Sequence, residues 1–292
     1  MTAKPVAIIP DAFPTSVERK ERLRKRMADF PWWFAAIILI AVMITGLILT
    51  NPDYREAFSF IRTGLWMTIY TTLVGFALAL VIGLVAGFGR ISDNVFFKNA
   101  STLYVELVRG IPMLVLIFFI AFVGVPAVVS LLNGIGKGLV AAGLGWLGGG
   151  LASLENRNVS MVSRAVIALA TTYGAFLAEI FRAGIQSIGR GQMEAARSEG
   201  MTYVQAMRYI ILPQAVRNML PALGNDFISM LKDSALVSVL AVRDITQVAR
   251  LYAGQSFRFQ QAYITLAALY LTMTMILSLL VKWLERRYRR NV

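Results

Sequence analysis

Four stretches of this chain run without a single charged side chain: Trp32 to Thr50 (19 residues), Thr63 to Gly89 (27), Gly110 to Gly136 (27) and Phe259 to Val281 (23). A helix needs about 20 apolar residues to cross the hydrocarbon core of a bilayer. Inside that core every backbone N–H and C=O must be bonded within the protein, which leaves helices as the form such runs take. The chain therefore reads as an all-α, polytopic membrane protein. Only 15% of its residues are charged, against about 25% in soluble domains.

Two further apolar segments carry charges. One spans about 161–187 and holds Arg164, Glu179 and Arg182; the other spans about 218–242 and holds Asp226, Lys232 and Asp233. Counting both gives six crossings. Gly138 to Leu154 is also uncharged over 17 residues. Its glycines (Gly138, Gly143, Gly145, Gly148, Gly149, Gly150) are poor helix formers. It reads as a loop or a partly inserted hairpin, with a seventh crossing as the rival. Gly83 and Gly87 form a G-x-x-x-G pair suited to close helix packing. Trp32, Trp33 and Trp283 sit at span ends, where interfacial anchors belong.

Residues 1–31 read as a basic tail. The run Glu18 to Arg26 precedes the first apolar block, as in a signal peptide. That block exceeds the usual core of about 7–15 residues, and no A-x-A-like site follows it. Residues 32–50 are thus expected to remain as an additional transmembrane helix. With the N-terminus inside, 19 of the 29 basic residues fall in inside segments, 8 in outside segments, and Arg182 and Lys232 within spans. That asymmetry places both ends, including the basic tail 286–292, in the cytoplasm. It also accounts for the net charge of +13 without nucleic acid, for which no motif is present. Histidine and cysteine are both absent. The chain therefore holds no thiolate metal site, no Ser-His-Asp triad and no metal or other cofactor of its own.

Between the fourth and fifth crossings lies a long inside loop, 189–217. It reads as a short helix over 192–199 ended by Gly200 as a C-cap. A second helix follows from about Thr202 to Leu212 and is broken by Pro213. Ala195, Ala196 and Gly200 let another surface approach the backbone closely.

The spacing Glu194-Ala195-Ala196, Gly200, Ile210, Leu212, Pro213 resembles the EAA motif of ABC importer permeases at every fixed position. Tyr104-Val-Glu106-Leu-Val-Arg109-Gly110-Ile-Pro112 is similar to the segment opening the second core helix of the polar amino acid branch, related to the histidine and glutamine permeases. Tyr173 to Ile185, Leu212 to Arg217 and Lys232-Asp233-Ser234 continue the likeness, which covers about 60–285. The resemblance implies a type I ABC importer-like five-helix core preceded by the extra helix 32–50. It implies two ATP-binding cassette subunits, which hold ATP and Mg, and a second permease subunit, identical or homologous. It also implies a periplasmic amino-acid-binding protein, and a site in the inner membrane of a bacterium. In that family the EAA residues couple to the ATP-binding subunit. This chain has no G-x4-G-K-[ST]; Gly136-Lys137 lacks the upstream glycine. It is therefore no ATPase by itself.

The charges in 218–242 need partners. Each one facing lipid at mid-span costs at least about 2.5–3.5 kcal/mol, so three would cost roughly 8–10 kcal/mol. Asp226 and Asp233 are seven apart and share a helix face. Lys232 points about 100° from Asp233. A free amino acid carries both charge signs, which makes Lys232, Asp233, Ser234 and Asp226 candidates for the substrate pathway. A Lys–Asp pair fixing helix packing is the other reading. Glu106 with Arg109, and Glu179 with Arg182, are i,i+3 pairs, read as latch pairs or helix-end locks. An ion-coupled secondary carrier using Asp226, Asp233 or Glu179 is the rival function.

Overall fold

The computed structural model describes residues 32–289. The expected tail 1–31 and residues 290–292 lie outside the described residues. The described residues divide into two units, with the boundary between Leu47 and Ile48. Helix α1 (Trp32–Thr50) carries no charge in its 19 residues. Leu39, Val42, Met43 and Leu49 on it are exposed, as suits a lipid-facing helix.

In the second unit, α2 (Pro52–Ile61) starts at Asn51, whose side chain accepts the N–H of Asp53, with Pro52 in the first turn. Its buried residues Tyr54, Ala57 and Ile61 recur at helical spacing. A 3-10 turn (Arg62–Gly64) leads into α3 (Leu65–Ile91), 27 residues long. Helix α8 (Met161–Gln186) crosses beside it and is the most buried helix of the set. The expected glycine contact joins these two. A Cβ on Gly83 would stand 2.7 Å from the Leu177 Cβ, and one on Gly87 2.9 Å from the Phe181 Cβ. No side chain larger than hydrogen fits there.

The expected span Gly110 to Gly136 is not one straight helix. Helix α4 (Val95–Gly110) ends before Pro112, and α5 (Met113–Phe119) begins after it. A π turn (Ile120–Gly124) follows, then α6 (Val125–Ala141). Val125 donates its N–H to Ile120, five residues back. The next residue in that register is Pro126, which has no N–H for the Ala121 carbonyl. Arg164 of α8 supplies the missing donor from Nη1 at 2.7 Å. Its other nitrogens bond the carbonyls of Val159 and Asn156.

The glycine-rich stretch is more helical than its composition suggests. Helix α6 turns at Gly143 (φ +83°) and returns as α7 (Gly145–Ala152), forming a helical hairpin. The two backbones touch at Gly136 and Gly148, where a Cβ would meet main-chain atoms at 2.3 Å and 2.6 Å. Tertiary contact outweighs the low intrinsic propensity of glycine here. A 3-10 turn (Asn156–Asn158) then leads to α8.

Beyond α8 come α9 (Arg190–Ser198) and α10 (Tyr203–Ala206), a second π turn (Met207–Ile211) and α11 (Leu212–Asp233). Pro213 does not break the chain's helical course, contrary to the sequence expectation. Its ring would strike the carbonyl four residues back in an unbroken α-helix. The widened turn just before it takes up that clash, so α11 runs on for 22 residues, about 33 Å at 1.5 Å per residue. The helix expected as the fifth crossing therefore starts earlier than 218 and ends as α-helix at Asp233; the described helices long and apolar enough to cross a membrane are Pro52–Ile91, Met113–Ala141, Met161–Gln186 and Phe259–Arg287. A 3-10 segment (Ser234–Leu240) follows it. Helix α12 (Ile245–Ser256) and α13 (Phe259–Arg289) complete the fold. One core joins α3, α5, α8 and α11; a second joins α2, α12 and α13.

Gly87→Ile should destabilise the fold in detergent micelles by the overpacking cost of about 1–3 kcal/mol, read as a lowered thermal midpoint. Gly138→Ala, at a helical position with nothing within 4 Å, should raise stability by about 0.5–1 kcal/mol. An unchanged midpoint for Gly87→Ile would contradict the α3–α8 contact.

Candidate functional site

The elbow between α8 and α11 is built from local signals. Helix α9 closes with a paired turn in which Met201 donates its N–H to Ala196 and Gly200 to Arg197, both at 3.1 Å. Gly200 takes the left-handed conformation (φ +85°) that this turn requires. Thr202 and Gln205 then cap α10 reciprocally through side chain and backbone.

The seven coupling candidates split by direction. Glu194, Ala195, Gly200 and Pro213 are exposed. Ala196 is buried, and Ile210 and Leu212 pack against the main core. The first set is presented outward; the second holds the elbow onto the helices behind it. A cavity of about 500 Å³ lies beneath, lined by Ile91, Ile188, Met193, Tyr203, Met207 and Ile211. Asn218 donates to Ser187 Oγ at 3.0 Å, which ties the start of α11 to the end of α8.

The charges near that end form a network that sequence spacing does not reveal. Arg90, at the end of α3, donates Nη1 to Glu179 Oε2 at 2.7 Å and reaches Glu106 Oε1 at 3.4 Å. Glu179 and Arg182 do pair, with Arg182 Nε 3.1 Å from Glu179 Oε2. The expected Glu106–Arg109 pair does not form among the described residues. Arg109 instead lies over the Phe176 ring, 5.6 Å from its centroid. Spacing along one helix finds only partners on that helix, whereas Arg90 comes from a neighbouring one. Its only sequence signal is its place as the first charge after 27 uncharged residues.

On α11, Asp226 is half-buried and Lys232 is exposed. Asp233 accepts a hydrogen bond from the Tyr173 hydroxyl at 2.6 Å, across from α8. Ser234 is fully buried and donates its hydroxyl to the Leu231 carbonyl at 2.7 Å. Lys232 and Asp233 form no ion pair among the described residues. Lys232 and Asp233 point apart, as the 100° per residue of a helix requires.

Asp244 was not singled out by the sequence. It caps α12 by accepting the Gln247 N–H at 2.9 Å and is fully buried. Burial pushes its carboxyl up to about 6, against the hydrogen bonds from Gln247, Thr246 and Tyr270 that pull it down. Among the described residues no cluster of acidic side chains could hold a metal.

A double-mutant cycle of Arg90→Ala with Glu179→Gln, read by unfolding in detergent, should give a coupling of about 0.5–3 kcal/mol. The cycle of Glu106→Gln with Arg109→Ala should give a coupling near zero. The reverse ranking would contradict the Arg90-centred network.

Comparison with known proteins adds to this geometry. Residues 79–290 match the family described as binding-protein-dependent transport system inner membrane component. The probable glutamine ABC transporter permease protein GlnM of Bacillus subtilis (strain 168) is 35% identical over 236 residues, 81% of this chain and 96% of the relative. The glutamine transport system permease protein GlnP of Escherichia coli (strain K12) is 30% identical over 226 residues, 77% of this chain and 91% of the relative. A crystal structure of an amino acid ABC transporter with histidines aligns with TM-score 0.64 and 37% identity, covering 82% of this chain and 98% of that one. A chain of the MetNI methionine ABC transporter in an inward-facing conformation shares the fold at TM-score 0.59 and 20% identity, over 79% of this chain and 96% of that one. With the polytopic helical fold and the elbow, these matches establish that the chain belongs to the inner-membrane permease components of binding-protein-dependent ABC transport systems.

Proposed function

We propose that this chain is one of two permease subunits, identical or homologous, that form the pathway of an ATP-driven importer for polar amino acids. The observation that carries the reading is the elbow of α9 and α10, which continues through one π turn into the charged helix α11. Two ATP-binding cassette subunits, holding ATP and Mg, grip the outward set Glu194, Ala195, Gly200 and Pro213. Their closure pushes the elbow, and α11 carries the push into the membrane. A periplasmic binding protein delivers the amino acid to the opposite end. The chain gates access and does no covalent chemistry.

The substrate class is supported by the names of the relatives, two glutamine permeases and a transporter with histidines. It is also supported by the two charge signs on α11, which match an ammonium and a carboxylate. Lys232 and Asp226 are the pathway residues this favours, with Asp233 set by Tyr173. The buried hydroxyl of Ser234 supports the helix rather than meeting substrate. Arg90, Glu179, Arg182 and Glu106 lock the elbow-side ends of α3, α4 and α8. Arg109 stands beside them on Phe176. Residues 32–50 form an additional crossing before the permease domain 60–285, and both termini face the cytoplasm of a bacterium.

Two variants test this in one assay on the purified complex in vesicles. Glu194→Lys should release the ATP-binding subunit and abolish uptake. Lys232→Met should keep the complex and its ATP binding yet lose uptake. A chain that purifies alone and drives uptake from an ion gradient without ATP would overturn the proposal in favour of a secondary carrier.

A further inference from the structure

The α6–α7 hairpin sits at the opposite end of α8 from the elbow, because it leads into Met161 while the elbow follows Gln186. Four observations describe its surroundings. First, α6 is the last part of the apolar stretch Met113–Ala141, which is long enough to cross a membrane. Second, Lys137 is the single charge between Val125 and Leu154.

Third, the hairpin bonds its own helix ends. At the close of α6, Leu144 donates its N–H to Leu139 at 2.9 Å and Gly143 to Val140 at 3.0 Å. At the close of α7, Asn133 Nδ2 donates to the carbonyls of Ala152 at 2.7 Å and Leu154 at 2.9 Å. Those end carbonyls have no partner within their own helix, and water serves them on a soluble surface. A side chain reaching across from α6 to bond both is what a water-poor setting demands. Fourth, the outward side chains are large and apolar: Val128, Leu131, Ile135, Leu144, Leu147 and Trp146, the last 82% exposed. A patch of this kind facing water would be a standing liability.

We infer that the α6–α7 hairpin lies in the outer leaflet of the bilayer as a lipid-embedded paddle. Trp146 rests at the boundary of headgroups and acyl chains, and Lys137 reaches toward lipid phosphate. The occupant of the apolar face is phospholipid, by continuity with the membrane-spanning helix and by the near absence of charge. The outer surface offered to a soluble partner is then the polar segment from Glu155 to Ser160, whose Arg157 is 83% exposed. This inference rests on the proposed topology, with the elbow in the cytoplasm.

The chain has no cysteine, so single spin labels can be placed on it. Trp146→Cys, Arg157→Cys and Val85→Cys would each carry a nitroxide in the assembled complex, with partner cysteines replaced. The vesicles would contain phosphatidylethanolamine and phosphatidylglycerol. Val85 is exposed on the long helix α3 and reports lipid; position 157 reports water. The label at 146 should collide with dissolved oxygen more than with a water-soluble nickel chelate, by a smaller margin than at 85 and unlike at 157. A chelate-dominated signal at 146 would overturn the paddle. So would shielding from both reagents that is relieved by removing the second permease or the binding protein. A chelate-dominated signal at 85 as well would instead remove the membrane topology on which the inference stands.

Discussion

Leu212 donates its N–H to Met207, five residues back rather than four. That one displaced hydrogen bond lets α11 pass Pro213 without a break. Without the wider turn, the proline ring would strike a backbone carbonyl, and the helix would kink or stop there. With it, the elbow and the charges of α11 belong to one helical course. The same solution appears at Ile120–Gly124, just before Pro126, where Arg164 bonds the carbonyl that the proline leaves without a donor. At Pro126 and Pro213 the cost is thus absorbed locally, by a wider turn rather than by a loop.

Beside α11 the helices form a closely packed frame. Helices α3 and α8 are in backbone-level contact through Gly83 and Gly87. Arg90 ties them together again at the elbow end and reaches α4 through Glu106. Contacts with so little free volume have few alternative arrangements. Helix α11 meets this frame through softer groups, the flexible side chain of Met219 against Gly184 and the Tyr173–Asp233 hydrogen bond.

Much of the architecture could be read from residue order because its causes are local. Uncharged runs marked the long helices, Gly200 marked the end of α9, and Gly83 with Gly87 marked a helix contact. What could not be read depended on partners far along the chain. Arg90 looked like a span-end cation until α8 brought Glu179 to it, 89 residues away. Glu106 and Arg109 had the spacing of a pair, yet each found a better neighbour on another helix. Pro213 was a correct sign of broken α-register and a wrong sign of a broken helix. The glycines of 138–154 argued against helix because propensity is a single-residue quantity, while the contact of Gly136 with α7 is a tertiary one. Ser234 stood in sequence beside two charges, but the turn into 3-10 geometry buries it.

The claim on which the account turns is that elbow and α11 move as one piece. Two nitroxides, on Ala195→Cys and Asn225→Cys, would read it directly by their separation in the assembled complex, without nucleotide and with ATP trapped. The account predicts a single narrow distance, the same in both states. A distance that broadens or shifts by more than one helical turn, about 5.4 Å, would mean that the chain bends between Ala195 and Asn225, and would contradict it.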